Sequence, residues 1–146
     1  ECRDLLEAFS ASANLVAAGA DLDGDGTRGE VRLYDLLSGR LLARSPSLPS
    51  RPRALLLDAE HGRVYAGLFD RSVVVLGIAT LPQDRDPTLV EILTLHTDTS
   101  WIENLFLSED GMRLMATTVY PSNRALIWDA RPMKERVERS AAGPNE

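Results

Sequence analysis

The chain has 146 residues, enough for one domain with a sizeable hydrophobic core. Its net charge of −6 disfavours nucleic acid as the main ligand, because basic residues drive binding to phosphate backbones. The single cysteine, Cys2, excludes a disulfide within the chain and fits a reducing compartment, so we expect an intracellular protein, cytoplasmic or nuclear. The longest apolar run, residues 72–81, is shorter than the roughly 20 residues of a membrane span, so we predict no span.

The first predicted elements are four short strands. Residues 5–20 contain an apolar run, a small polar turn and a second apolar run, and residues 30–36 and 39–45 contain two more runs. These runs are rich in Leu, Val and Ala and are bounded by Gly, Asp and Ser, which is typical of β-strands. No stretch repeats apolar residues at the i, i+3, i+4 spacing of an amphipathic helix, so we expect little helix.

The same pattern recurs twice further along the chain. Residues 53–68 and 102–117 repeat the first hairpin, and the turn-entry positions Ser10, Asp58 and Ser108 are 48 and 50 residues apart. A third apolar run follows each hairpin, and a fourth follows in the first two units. About four strands per repeat of 40–50 residues is typical of β-propeller blades. We therefore predict an all-β fold of about three blades, each a four-stranded antiparallel sheet.

Proline-rich segments at residues 45–53 and 81–87 are predicted to be loops, because proline cannot donate a hydrogen bond to a central strand. We predict blades at 4–48, 49–98 and 99–139 and a disordered tail at 140–146. Three blades do not close a ring, because propellers contain about four to eight. The chain begins on an inner strand, and its last unit ends after a third strand. We therefore expect it to be the C-terminal part of a larger propeller.

Two dipeptides at strand ends give the repeats a family resemblance. Trp128 and Asp129 end an apolar strand, and this resembles the signature Trp-Asp pair of WD40 repeats. Tyr34 and Asp35 stand at the corresponding place in the first unit, and residues 104–117 resemble the first hairpin of such a repeat. The resemblance covers most of the chain, with divergent repeats. It implies a propeller that acts as a protein–protein interaction scaffold.

In the WD40 family, a buried network of His, Ser or Thr, a turn Asp and Trp holds each blade together. The resemblance places His96, Thr118 and Trp128 in such a network in the third unit, and Asp70 as the turn acid of the second. We expect a structural role in the blade motif for Tyr34, Asp35, Asp70, His96, Thr118, Trp128 and Asp129.

Residues 21–26, with the sequence DLDGDG, have two interpretations. Asp21, Asp23 and Asp25 have the spacing of the first three ligands of a calcium loop, and the stretch resembles the calcium hairpins of FG-GAP propellers. However, Gly29 stands where a further acidic ligand is expected. The alternative is an exposed turn, because Asp and Gly tolerate positive φ and Asp hydrogen-bonds its own backbone.

Candidate partner-binding residues lie in two connecting segments. Arg51 and Arg53 belong to the arginine-rich segment 40–53, the one segment through which we would expect any contact with nucleic acid. Arginine supplies 15 of the 16 basic residues, so this density partly reflects a global bias. Trp101 leads into the first strand of its unit, and an exposed Trp is a favoured interface anchor. The alternative for Trp101 is packing under its own blade.

The sequence contains no recognisable Ser-His-Asp set, cysteine-rich zinc cluster or glycine-rich phosphate loop, so we expect no enzyme. The preferred hypothesis is a non-catalytic WD40-type scaffold, a subunit of a larger multi-protein assembly with other proteins as partners and no cofactor. One alternative is a calcium-stabilised FG-GAP or integrin-like propeller with a metal loop at residues 21–29. A third is a propeller enzyme whose catalytic residues lie in other blades.

Overall fold

The computed structural model describes residues 5–79, 88–98, 100–119, 121 and 123–130, with side chains from residue 8 onwards. This part of the chain forms eleven β-strands and no α-helix, which confirms the predicted all-β class. It therefore contains no helix long and apolar enough to cross a membrane.

The strands form three antiparallel sheets, in each of which neighbours in sequence are neighbours in space. The first sheet consists of β1 (Leu5–Ser12), β2 (Leu15–Asp21), β3 (Gly29–Asp35) and β4 (Leu41–Arg44). The second consists of β5 (Pro52–Asp58), β6 (Arg63–Leu68), β7 (Ser72–Ala79) and β8 (Thr88–His96). In the third, the described strands are β9 (Ile102–Leu107), β10 (Arg113–Thr118) and β11 (Ala125–Asp129).

Each sheet lies within one of the three predicted units, whose outer bounds stay predictions. The predicted tail at 140–146 lies outside the described residues, as does the proline-rich segment 81–87.

The first hairpin turns two residues later than the repeat pattern predicted. Ser12 pairs with Leu15, so the turn is Ala13 and Asn14, with Ala13 at a φ of 53°. In the second sheet Asp58 pairs with Arg63 across a longer turn. The first unit thus has a shorter turn, and the residue that corresponds to Asp58 is Ser12 and not Ser10.

The first strands of the three sheets, β1, β5 and β9, lie next to one another, so the sheets stack face to face like successive blades. Glycine permits this close approach at two equivalent positions. A Cβ atom on Gly19 would lie 2.8 Å from Cβ of Pro52, and one on Gly67 would lie 2.5 Å from Cγ2 of Ile102.

The second sheet is buried on both faces at its inner strands. Val64 and Leu76 pack into a core shared with the first sheet, whereas Tyr65 and Val75 pack into a core shared with the third. Alternate residues of one strand point to opposite faces. A strand buried on both faces is therefore apolar at successive positions, which accounts for the sequence VVVL at residues 73–76 of β7.

Candidate docking site on the loop face

Four connecting segments meet at one edge of the three sheets, which we call the loop face. They are the β2–β3 loop, the β4–β5 connection, the β6–β7 turn and the β8–β9 connection. Arg51 N donates to Gly26 O at 3.2 Å, and Phe69 N donates to Arg51 O at 3.1 Å. Thr97 N donates to Arg71 O at 3.2 Å. Backbone hydrogen bonds therefore join each segment to the next.

Four side chains stack on the loop face in a column, defined here as Arg51, Phe69, Trp101 and Arg53. The Phe69 and Trp101 rings are nearly parallel, at 12°, with centroids 4.9 Å apart. Arg51 Cζ lies over the Phe69 ring, 4.9 Å from its centroid. Arg53 Cζ lies over the Trp101 ring, 5.8 Å from its centroid. These are cation–π distances at both ends of an aromatic pair.

The backbone explains why these residues meet. Arg51 and Arg53 flank Pro52 at the start of β5, and residues two apart in an extended chain project to the same side. Phe69 follows β6 directly, and Trp101 directly precedes β9. The β6–β7 turn is fixed to the β4–β5 connection, because Asp70 N donates to Ser50 Oγ at 2.9 Å.

The column is partly open to solvent. Phe69 is 37% exposed, and Trp101 is half-buried. Arg53 Nε donates to Glu103 Oε2 at 3.3 Å. The Trp101 Nε1 atom is shielded from solvent and has no hydrogen-bond partner among the described residues. The structure thus brings together the predicted binding residues Arg51, Arg53 and Trp101.

Sequence reasoning missed Phe69 and Glu103. Phe69 is an apolar residue that directly follows the buried strand β6 and begins the polar β6–β7 turn. An aromatic residue at that position is a weak signal, and its partner Trp101 is distant in sequence. Glu103 belongs to no recognisable motif. It contacts Arg53 because β5 and β9 are neighbours in space.

The three acids of the β2–β3 loop turn their carboxylates toward their own loop. Asp21 Oδ1 accepts hydrogen bonds from Asp23 N at 3.2 Å and Gly24 N at 3.0 Å. Asp25 Oδ1 accepts from Thr27 Oγ1 at 2.7 Å and Thr27 N at 2.9 Å, which lowers the Asp25 pKa. Within the described residues no group of three His, Cys, Asp or Glu side chains is arranged to hold a metal ion. Calcium binding here stays a prediction.

The turn acids of the predicted blade motif cap their own turns. Asp35 Oδ1 accepts from Ser38 Oγ at 2.6 Å and Ser38 N at 2.7 Å, and Tyr34 precedes it at the half-buried end of β3. Asp70 Oδ1 accepts from Ser72 Oγ at 2.6 Å and Ser72 N at 3.1 Å. Each carboxylate thereby fixes the conformation of a turn between two strands.

The remaining motif residues lie on separate elements. Thr118 Oγ1 accepts from Arg124 N at 3.0 Å, and Trp128 packs against the core shared by the second and third sheets. His96 ends β8 and lines a shallow pocket of about 310 Å³ together with Trp128. Asp129 Oδ2 lies 3.9 Å from Arg113 Nε. No hydrogen bond between described residues joins His96 to Thr118 or Trp128, so the shared network stays a prediction.

A scan against protein-family models and a search of curated proteins give no match. Solved structures do match. The β-propeller domain of Myceliophteria thermophila Cps50 (Swd1) has a TM-score of 0.68 and 17% identity over 88% of this chain and 38% of that one. This chain folds as three blades of a β-propeller.

Two further solved structures match this chain with similar scores. Kuenenia stuttgartiensis hydrazine synthase has a TM-score of 0.65 and 15% identity over 85% of this chain and 32% of that one. A chain of a mitotic checkpoint complex has a TM-score of 0.61 and 21% identity over 82% of this chain and 32% of that one. The blades therefore span about a third of the length of the chains they match. At these identities the likeness establishes the fold alone.

Proposed function

We propose that these blades belong to a WD40-type β-propeller, a non-catalytic scaffold that holds protein partners in an intracellular multi-subunit assembly. The strand-ending pair Trp128 and Asp129 supports the WD40 assignment. The likeness to a chain of a mitotic checkpoint complex supports a place in an assembly.

The column on the loop face is the observation that carries this proposal. Its four side chains come from segments before, within and after the second sheet, so the stacked sheets hold them in place. Binding residues are commonly found on loops that a rigid scaffold positions. Trp and Arg are the residue types most enriched among interface side chains that dominate binding energy.

The two histidines lie at opposite ends of the strands. His61 lies at the far end of the strands from the loop face, where its Nδ1 atom is 2.9 Å from Asp58 Oδ2. His96 ends β8 at the loop face. Among the described side chains, no Ser or Thr hydroxyl group is hydrogen-bonded to either ring. Because one neighbour is hydrazine synthase, the fold by itself does not decide between scaffold and enzyme.

Affinity purification from the native source tests the scaffold. Tagged wild-type protein should retain a fixed set of protein partners, identified by mass spectrometry, and the double variant Arg53→Ala/Trp101→Ala should lose them. Arg124→Ala is the matched control, because Arg124 is exposed on a neighbouring turn outside the column. Partners retained equally by all three proteins would contradict docking through the column. The absence of any partner would contradict the scaffold itself.

A further inference from the structure

The column has little aromatic face left to offer a ligand. Arg51 and Trp101 both stack on Phe69, and a phenyl ring accommodates one group at such a distance on each face. Trp101 is covered by Phe69 and Arg53. A nucleobase or a ligand cation binds an aromatic residue through its face. The arrangement therefore disfavours both kinds of ligand.

What the column exposes instead is its edges. The edge of an aromatic ring carries partial positive charge. A guanidinium group stacked on a ring directs its N–H donors outward in its own plane. The rim of the column is thus built from donors and positive edges, which are complementary to a ligand with acceptor oxygens and negative charge.

One carboxylate group already lies at the Arg53 end of the column. Glu103 Oε2 accepts from Arg53 Nε at 3.3 Å, and the two side chains are 38% and 36% exposed respectively. An ion pair this exposed contributes little to stability. A second oxyanion can therefore compete with Glu103 for the guanidinium group at little cost to the fold.

We propose that the Trp101–Arg53 end of the column binds an oxyanion, a carboxylate or a phosphate group, carried by a segment of a partner protein. This proposal rests on the scaffold function and names the chemistry of its partner. The site lies at this end because the acidic β2–β3 loop is next to Arg51 at the other, where Arg51 packs against Gly26. A protein segment is favoured over nucleic acid because the ring faces are covered, so a nucleobase cannot stack on them.

NMR spectroscopy of the ¹⁵N-labelled full chain tests this directly, because two tryptophans give two indole N–H signals. The probes are the peptide acetyl-Glu-Gly-Glu-Gly-Glu-amide, its phosphoserine counterpart and a neutral Gln counterpart. The acidic peptides should shift the Trp101 signal saturably and leave that of Trp128 in place. The shift should weaken as salt rises, because the contact is exposed. The stronger of the two acidic probes identifies carboxylate or phosphate as the source.

Variants separate recognition from folding. Arg53→Gln should abolish the shift while circular dichroism remains that of the wild type, Arg53→Lys should weaken it, and Arg124→Gln should leave it unchanged. No Trp101 shift with either acidic peptide, or an equal shift with the Gln peptide, would overturn the proposal. A shift produced only by an oligothymidylate would overturn it in favour of nucleic acid. Partners lost in Arg53→Ala/Trp101→Ala without a peptide response would contradict the oxyanion and leave the scaffold standing.

Discussion

Phe69 and Trp101 stack 4.9 Å apart although one follows β6 and the other precedes β9. The pair thus joins the turn of the second sheet to the connection that leads into the third. Arg51 and Arg53 extend the contact back to the connection between the first and second sheets. The column therefore links consecutive blades at the surface that we propose for docking.

The aromatic pair should show energetic coupling in a double-mutant cycle. We expect the double variant Phe69→Leu/Trp101→Leu to lose less free energy of unfolding than the two single variants together. The difference, which is the coupling energy, should be about 0.5–1.5 kcal/mol. Urea denaturation of the wild type, both single variants and the double variant measures it. Pairing Trp101→Leu with Phe106→Leu is the control, because Phe106 lies outside the column. Additive effects for Phe69 and Trp101 would contradict the stack.

Gly67→Ala should destabilise the fold by about 1–3 kcal/mol, because it overpacks a closed contact between two sheets. The new Cβ would lie 2.5 Å from Cγ2 of Ile102, which is fully buried. Gly77→Ala is the matched control. There the new Cβ would meet Cδ1 of Ile92, the end of an exposed side chain that can turn away, so the cost should stay within about 0.5 kcal/mol. Equal costs for the two variants, measured by urea denaturation, would contradict this account of sheet stacking.

The fold could be predicted because its determinants are local and repeated. Apolar runs of strand length, separated by Asp, Gly and Ser, recur at each sheet. The repeat pattern placed the turn of the first hairpin wrongly, at Ser10. That turn is shorter than its counterpart in the second sheet and begins two residues later, after Ser12. Such a shift leaves the strand pattern intact, and for this reason the sequence did not reveal it.

The candidate site could be predicted only in part. Arg51, Arg53 and Trp101 were each suggested by residue type, but nothing in their spacing indicated that they stack. That contact depends on the way three sheets place their connecting segments, which is a long-range property. Phe69 was missed for the same reason, because its role is defined by Trp101 and not by its own neighbours in sequence.

Asp35→Ala should lower the melting temperature at pH 7, and this effect should shrink as the pH falls toward 2. Hydrogen bonds from the Ser38 side chain and backbone hold the Asp35 pKa below its ordinary value. A lowered carboxyl pKa stabilises the folded state above the ordinary pKa, and this contribution is lost as the pH falls through the folded-state value. The difference between wild type and variant should therefore shrink below about pH 4. Thermal denaturation followed by circular dichroism across this range measures it.

Asn14→Ala is the control for this pH dependence, because it changes a neighbouring turn without removing a titratable group. Its effect on the melting temperature should stay constant from pH 7 to pH 2. A difference between wild type and Asp35→Ala that persists unchanged at pH 2 would show that the turn is stabilised by something other than the charged carboxylate.

Calcium should leave the melting temperature unchanged. Asp21 and Asp25 already accept hydrogen bonds from the backbone of their own loop, and Arg28 Nη1 lies 3.8 Å from Asp23 Oδ1. A metal ion that bound only the folded state would stabilise it by mass action, by about 2.7 kcal/mol at a hundred times its dissociation constant. Melting curves in millimolar Ca²⁺ and in EDTA should therefore coincide. A rise with Ca²⁺ that disappears in Asp21→Asn/Asp23→Asn/Asp25→Asn would establish the calcium-stabilised alternative instead.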